Sequence, residues 1–260
     1  MTFRMAAIDV RDWRPQLFGR GNVRNVKDPL IEPLWDGERV LVVVGDVDLG
    51  DEAPTSGSTT TDATPRADER VTTDGAPPVV FLDIDGEELE GPALDAIAAD
   101  LADAARADIL VLDGYLSRQP NTPRPNSPTL GVTMPTTQQM VGQMLFGRRS
   151  SKSPRAPTAA GHAETTDLGV PIAFVAIDLL AIDEQALLDI PLLERKRILD
   201  TAFDETRLLR RSPYVRPPVD SWLIAWRALG FHELAYKAAN SRYTPGRQNE
   251  GWSRITIPLD

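Results

Sequence analysis

The chain has 260 residues, 42% of them apolar and 25% charged, a composition that suits a globular core and excludes collagen, coiled coil and wholesale disorder. Cysteine is absent and histidine occurs only at His162 and His232, which excludes disulfides, thiol nucleophiles and metal clusters built on His or Cys. The net charge of −10 argues against a uniformly basic coat for nucleic acid, but thirteen acidic residues against Arg66 and Arg70 between Asp46 and Glu90 hold −11 of it, leaving the other segments near +1.

From the N-terminus, Met1 to Arg20 interrupts its apolar residues with Arg4, Asp9, Arg11, Asp12 and Arg14, unlike a signal peptide. No window approaches the roughly 20 apolar residues that span a bilayer, so the expectation is a cytoplasmic protein with no membrane partner. Residues 38–44 (ERVLVVV) read as a buried strand. Residues 51–78, rich in Thr, Asp, Pro and Gly, read as a poorly ordered insertion, because too little apolar surface is present to offset ordering entropy. Strand signals return at 79–84 and 109–112. Between them Pro92 opens a helix to Arg106 with Leu94, Ile97, Ala98, Leu101 and Ala105 on one face. A second low-complexity insertion covers 148–167, where Arg148, Arg149, Lys152 and Arg155 form a basic run that reads as a solvated loop or a weak phosphate contact.

Residues 172–180 (IAFVAIDLL) form a further strand signal, and 191–203 a helix expected to turn Leu192, Leu199, Ala202 and Phe203 inward and Glu194, Arg195, Lys196 and Arg197 largely outward. Asp220 or Ser221 caps a last helix ending near Gly230, with Trp222 and Trp226 as core anchors. Strands and helices mix without regular alternation, which predicts an α+β fold with largely antiparallel sheets. The chain reads as one domain over 1–260, with no internal repeat and no glycine-rich phosphate loop, zinc-protease or serine-hydrolase motif.

Four stretches, in order, carry more information. They are Glu32-Pro33-Leu34-Trp35-Asp36-Gly37-Glu38-Arg39; Val111-Leu112-Asp113-Gly114-Tyr115-Leu116; Phe174 to Leu199; and Gly230 to Lys237 followed by Ser241-Arg242-Tyr243-Thr244-Pro245-Gly246-Arg247 and Gly251-Trp252-Ser253-Arg254. Together they resemble the nucleotidyltransferase (adenylation) domain of ATP-dependent DNA ligases, particularly the bacterial repair type. The resemblance covers roughly Asp28 to Ile257 apart from the insertions. It implies two largely antiparallel sheets flanked by helices around a central groove, with ATP and Mg2+ as cofactors, and ATP or AMP, DNA ends or DNA-repair proteins as partners.

In that family a lysine of the first motif attacks the α-phosphate of ATP and carries AMP before its transfer to a DNA 5′-phosphate. Here the position is Leu34, and a hydrocarbon has no lone pair to give. The glutamate of the second motif falls at Tyr115. The metal-side glutamate falls at His232, with a one-residue slip recovering Glu233 as a metal ligand, and the two lysines of the last motif fall at Arg254 and Thr256. By resemblance Glu32, Asp36, Gly37, Arg39, Asp113, Phe174, Lys237 and Arg254 line a nucleotide site, Phe174 stacking on adenine and Arg254 meeting a phosphate. Read from the residues alone, Asp36-Gly37 is a tight turn, Phe174 is core, and Arg39 serves either a ligand or a buried carboxylate such as Asp113.

The expectation is therefore a non-catalytic nucleotide- or DNA-end-binding relative of the ligases in a DNA-repair context, without the C-terminal oligonucleotide-binding barrel. The alternatives are an active ligase or AMP transferase using another lysine such as Lys237, and a structural partner protein with a vestigial pocket. Lys27, seven residues before Leu34, lies too far along an extended chain to substitute.

Overall fold

The structure is a computed structural model that describes residues 8–47, 76–118 and 171–257. Residues 51–75 of the first insertion, all of the second, and His162 lie outside the described residues. The described elements are β1 (Leu17–Phe18), β2 (Pro29–Pro33), β3 (Glu38–Val44), β4 (Val79–Leu82), β5 (Glu88–Leu89), α1 (Pro92–Ala104), β6 (Leu110–Ser117), β7 (Ala173–Ile182), β8 (Gln185–Ala186), α2 (Leu192–Ala202), β9 (Leu209–Arg211), α3 (Asp220–Ala228), β10 (Glu233–Ala238), β11 (Gln248–Asn249) and β12 (Trp252–Thr256). No described helix is long and apolar enough to cross a membrane.

The larger sheet runs β5-β4-β3-β6-β7-β8, antiparallel throughout, with β9 joining β7 in parallel. A smaller antiparallel sheet runs β12-β10-β2, and β1 pairs with β11 in parallel beside it. This is the expected α+β arrangement of antiparallel sheets with helices alongside. β3 is a continuous apolar run because both of its faces are covered. Val40, Val42 and Val44 pack with Ile97 and Leu101 of α1 and Leu199 of α2, whereas Leu41 and Val43 pack with Leu30 of β2 and Trp252 of β12. A third apolar cluster joins Trp35, Tyr115, Val175, Ile177 and Trp226.

α2 corrects one expectation. Leu192, Leu199 and Ala202 are buried as its periodicity predicts, but Arg195 and Lys196 are also fully buried, leaving only Glu194 and Arg197 of the four charged residues exposed. Their charge assigned them to solvent. The competing fact is that β2 and β7 offer them carboxylates in the interior. Of the two tryptophans on α3, Trp226 is fully buried and Trp222 only partly.

Candidate functional site

β2 ends at Pro33, and the chain then turns through Leu34, Trp35, Asp36 and Gly37 into β3. Gly37 has φ of +141°, and a side chain there would strike the Leu116 carbonyl oxygen, so the turn demands glycine. The Leu34 N–H donates to the Glu233 carbonyl (2.9 Å), which fixes the end of β2 against β10. Leu34 is half-buried and lines an open cleft of about 780 Å³ together with Asp36, Gly37, Arg118, His232 and Glu233 among others. Its volume is that of a small-molecule site. No lysine lines it.

Glu32 follows a different course. It is 1% exposed, and its carboxylate is clamped between two equally buried lysines: Lys237 Nζ donates to Oε2 at 3.0 Å, and Lys196 Nζ stands 2.8 Å from Oε1. The second contact is close but not aligned as a hydrogen bond, which leaves the Lys196 ammonium under-satisfied. Burial pushes the Lys196 amine below the ordinary lysine range; Glu32 opposes this and neighbouring Lys237 adds to it. Lys237 also sits over the Trp252 ring, 4.3 Å from its centroid. The arrangement follows from β pairing. Glu32 opposes Ala235, Lys237 opposes Leu30 and Trp252, and Arg254 opposes Ala235, so all of these side chains share the face of the small sheet that looks at β3. Arg254, at the open end of that row, is exposed.

A second ionic cluster lies on the large sheet. Asp113 is fully buried and takes both prongs of Arg39, Nε to Oδ1 at 2.5 Å and Nη2 to Oδ2 at 2.6 Å. Arg39 Nη1 also donates to the Tyr115 hydroxyl (2.9 Å). Burial alone would lower the Arg39 pKa, but the attraction of Asp113 outweighs it and holds the guanidinium charged. The Tyr243 hydroxyl donates to Asp113 Oδ2 (2.7 Å) and accepts the Gln16 N–H (2.8 Å). Burial first, and the nearby Asp113 charge second, raise the Tyr243 pKa well above the phenol range. Beside it Arg195 makes a bidentate pair with Asp178 at 2.8 and 2.7 Å, both side chains fully buried. Four buried or nearly buried cations thus face three carboxylates.

Apart from Arg254, which is exposed, the residues singled out in the sequence therefore separate into three places. Glu32, Arg39, Asp113 and Lys237 form closed internal ion pairs. Leu34, Asp36, Gly37 and Glu233 line the open cleft. Phe174 is fully buried on the helix-covered face of the large sheet, among Val40, Val42 and Ile97, because it pairs with Leu116 and so points away from the Arg39–Tyr115 row. Its ring fills the space a side chain at Gly114 would need, which is the core alternative for this residue. Arg39 has the Asp113 partner the sequence offered as its structural alternative.

Sequence reasoning missed Lys196, Arg195, Tyr243 and Gln16 as members of these clusters. The available signal was the motif resemblance, since Arg195-Lys196 and Tyr243 lie inside two of the matched stretches. Among the described residues no three His, Asp or Glu side chains come together to hold a metal, so the Mg2+ implied by the resemblance finds no ligand set there, Glu233 included.

Neither a protein-family model nor a curated protein sequence matches the chain. Solved structures do. The ligase domain of M. tuberculosis LigD superposes with a TM-score of 0.54 at 23% identity over 96% of this chain. This chain has the fold of a DNA-ligase domain. A mycobacterial DNA ligase D, solved in complex with ATP and MES, gives a TM-score of 0.52 at 23% identity over 94% of this chain. The ligase-type domain described here spans 61% and 60% of the length of those two chains.

Proposed function

We propose that this ligase-type domain is a non-catalytic member of the ATP-dependent DNA ligase family that holds an adenine nucleotide or a DNA end without forming a covalent bond to it, in DNA repair. Leu34 carries the reading. It stands at the mouth of an open cleft where the motif resemblance implies an amine, and both buried lysines nearby are committed to Glu32 and do not line that cleft. ATP comes to this chain from the fold neighbour solved with it. The cleft offers an apolar wall of Leu34, Trp35, Leu116, Ile172 and Leu229, with Arg118 as its cationic group and the His232 imidazole as a further polar one. Those contacts suit a base and few phosphates. The described residues lack a ligand set for Mg2+.

One observation favours a second reading, an AMP transferase working through a displaced lysine. The lowered pKa of Lys196 increases its share of neutral, nucleophilic amine. Its full burial opposes that reading, since an attacking amine must reach the phosphorus. Incubation with α-labelled ATP and magnesium, read as covalent label on a denaturing gel beside calorimetric ATP affinity, separates the readings. Binding without label supports the non-catalytic module. Label that disappears in Lys196→Met or Lys237→Ala overturns it, and absence of both signals indicates a vestigial pocket.

A further inference from the structure

Between Ala76 and Ala105 the chain carries eight acidic residues, from Asp83 to Asp103, and no lysine or arginine. Part of that charge borders a groove of about 730 Å³ between the start of β4 and the first turns of α1. The groove has an apolar floor, since Val79, Phe81, Leu89 and Leu94 belong to the cluster on the helix-covered face of the large sheet. Glu88, Glu90 and Asp95 form its exposed rim, and no cation lines it. Glu90 and Asp95 have no ion-pair partner among the described residues.

The same groove holds an open sheet edge. The Gly45 N–H donates to the Pro78 carbonyl (2.9 Å) and the Asp83 N–H to the Glu87 carbonyl (2.9 Å), and these bonds fix the alternation of the two ladders. Val79 and Phe81 therefore turn their backbone groups away from β3. Phe81 meets Leu89 of β5, but the chain leaves the sheet two residues later to begin α1, where the Gly91 carbonyl accepts the Leu94 and Asp95 N–H groups. The N–H and carbonyl of Val79 are left without a hydrogen-bond partner among the described residues, beside the apolar floor.

We propose that this groove docks an extended, basic segment of a partner protein, laid beside the start of β4 with its cations against Glu90 and Asp95. The site is distinct from the cleft at Leu34 and stands whether or not that cleft holds a nucleotide. An open edge offers backbone bonds to any strand, and the carboxylates select among strands by charge, repelling acidic ones. A second copy of this chain fits less well, because its own copy of the edge would bring like charges together. A bare cation fits less well too: no three of these carboxylates converge to hold a metal, and a small polyamine would leave the floor and the Val79 backbone unused.

The test uses the whole chain and a fluorescein-labelled synthetic heptapeptide, Lys-Arg-Val-Arg-Val-Lys-Arg, read by fluorescence anisotropy at low ionic strength. In an extended peptide the two valines fall on one side and reach the floor together. We expect saturable binding that weakens as salt is raised and falls about fivefold or more in the double variant Glu90→Gln, Asp95→Asn. Both positions are exposed, so this variant keeps the circular-dichroism spectrum of the wild type. Ala98→Gln, which places a good helix former on the groove wall, blocks the floor and lowers affinity about tenfold or more. Methylating the backbone nitrogens of the peptide removes the donors that strand pairing needs and weakens binding to a similar extent. Absence of binding, an affinity unchanged in the double variant, or equal binding of the methylated peptide or of spermine would each overturn the proposal. So would a gain of about tenfold in peptide affinity on deleting residues 148–155, which would make the basic run of this chain the occupant.

Discussion

Replacing Glu32 by glutamine keeps the shape of the side chain and removes its charge. Glu32 lies 2.8 Å from one buried ammonium and 3.0 Å from another, so at an effective dielectric constant of 20 the two lost attractions are each about 6 kcal/mol. The protein escapes part of this loss. An ammonium left without its carboxylate can shed its proton, which at pH 7 costs about 4.6 kcal/mol for a lysine of ordinary pKa, and less where burial has already lowered it. That route caps the penalty near the 3–5 kcal/mol typical of a broken buried ion pair.

We therefore expect Glu32→Gln to lose about 3–5 kcal/mol in urea unfolding at pH 7, a large part of the stability of a domain. The pH dependence carries a sign. A buried lysine whose folded-state pKa lies below its unfolded value binds fewer protons when folded, so stability rises with pH between those two values. The deficit of Glu32→Gln should shrink by about 1.4 kcal/mol per pH unit, per proton released, as pH climbs from 7 toward 10. A loss under about 1 kcal/mol, or one constant across that range, would refute the assignment of Glu32 as the counter-charge of a buried lysine pair.

Removing the surplus cation should act in the opposite direction. Lys196→Met leaves Glu32 and Lys237 as a one-to-one pair, and we expect its stability at pH 7 to equal or exceed wild type by up to about 2 kcal/mol. That advantage should fade toward pH 10, because the lowered pKa of Lys196 penalises the wild type most where the lysine is fully charged. Tyr243→Phe deletes a donor to Asp113 and the acceptor of the buried Gln16 N–H, and should cost about 1–3 kcal/mol in thermal or urea unfolding. Gly114→Ala drives a methyl group into the Phe174 ring and the Val175 carbonyl, and should lose about 1–3 kcal/mol in the same assay.

Continuous apolar runs were readable because β3, β6 and β7 are covered on both faces, and composition alone then marks a buried strand. β6 nonetheless extends from the expected 109–112 to Ser117, since Asp113 and Tyr115 interrupt the apolar run while their side chains are satisfied by Arg39 and Tyr243. β2, β10 and β12 gave no comparable signal. Glu32 and Lys237 look like surface residues until the two strands pair and each supplies the other's counter-charge. The same blindness displaced Arg195 and Lys196, because helical periodicity sorts residues by polarity and a buried salt bridge violates that sorting. Tertiary pairing decides such positions, and one sequence does not contain it. The glycine at 37 was legible as a turn for the converse reason: its cause is local backbone geometry.

The two ionic clusters also constrain where an anionic ligand can act. A phosphate entering the groove between the sheets would meet cations that already hold carboxylates, and taking Lys237 from Glu32 would leave that carboxylate with Lys196 alone in a poorly aligned contact. The exchange gains one charge-assisted contact and loses another of similar strength, so the interior offers little net affinity for an anion despite its surplus of one cation. The cleft is lined by Arg118 and His232 together with Asp36 and Glu233, which sum to −1 with histidine uncharged and so offer an anion no net attraction. Substitutions at Glu32 or Arg39 should therefore register in stability before they register in affinity.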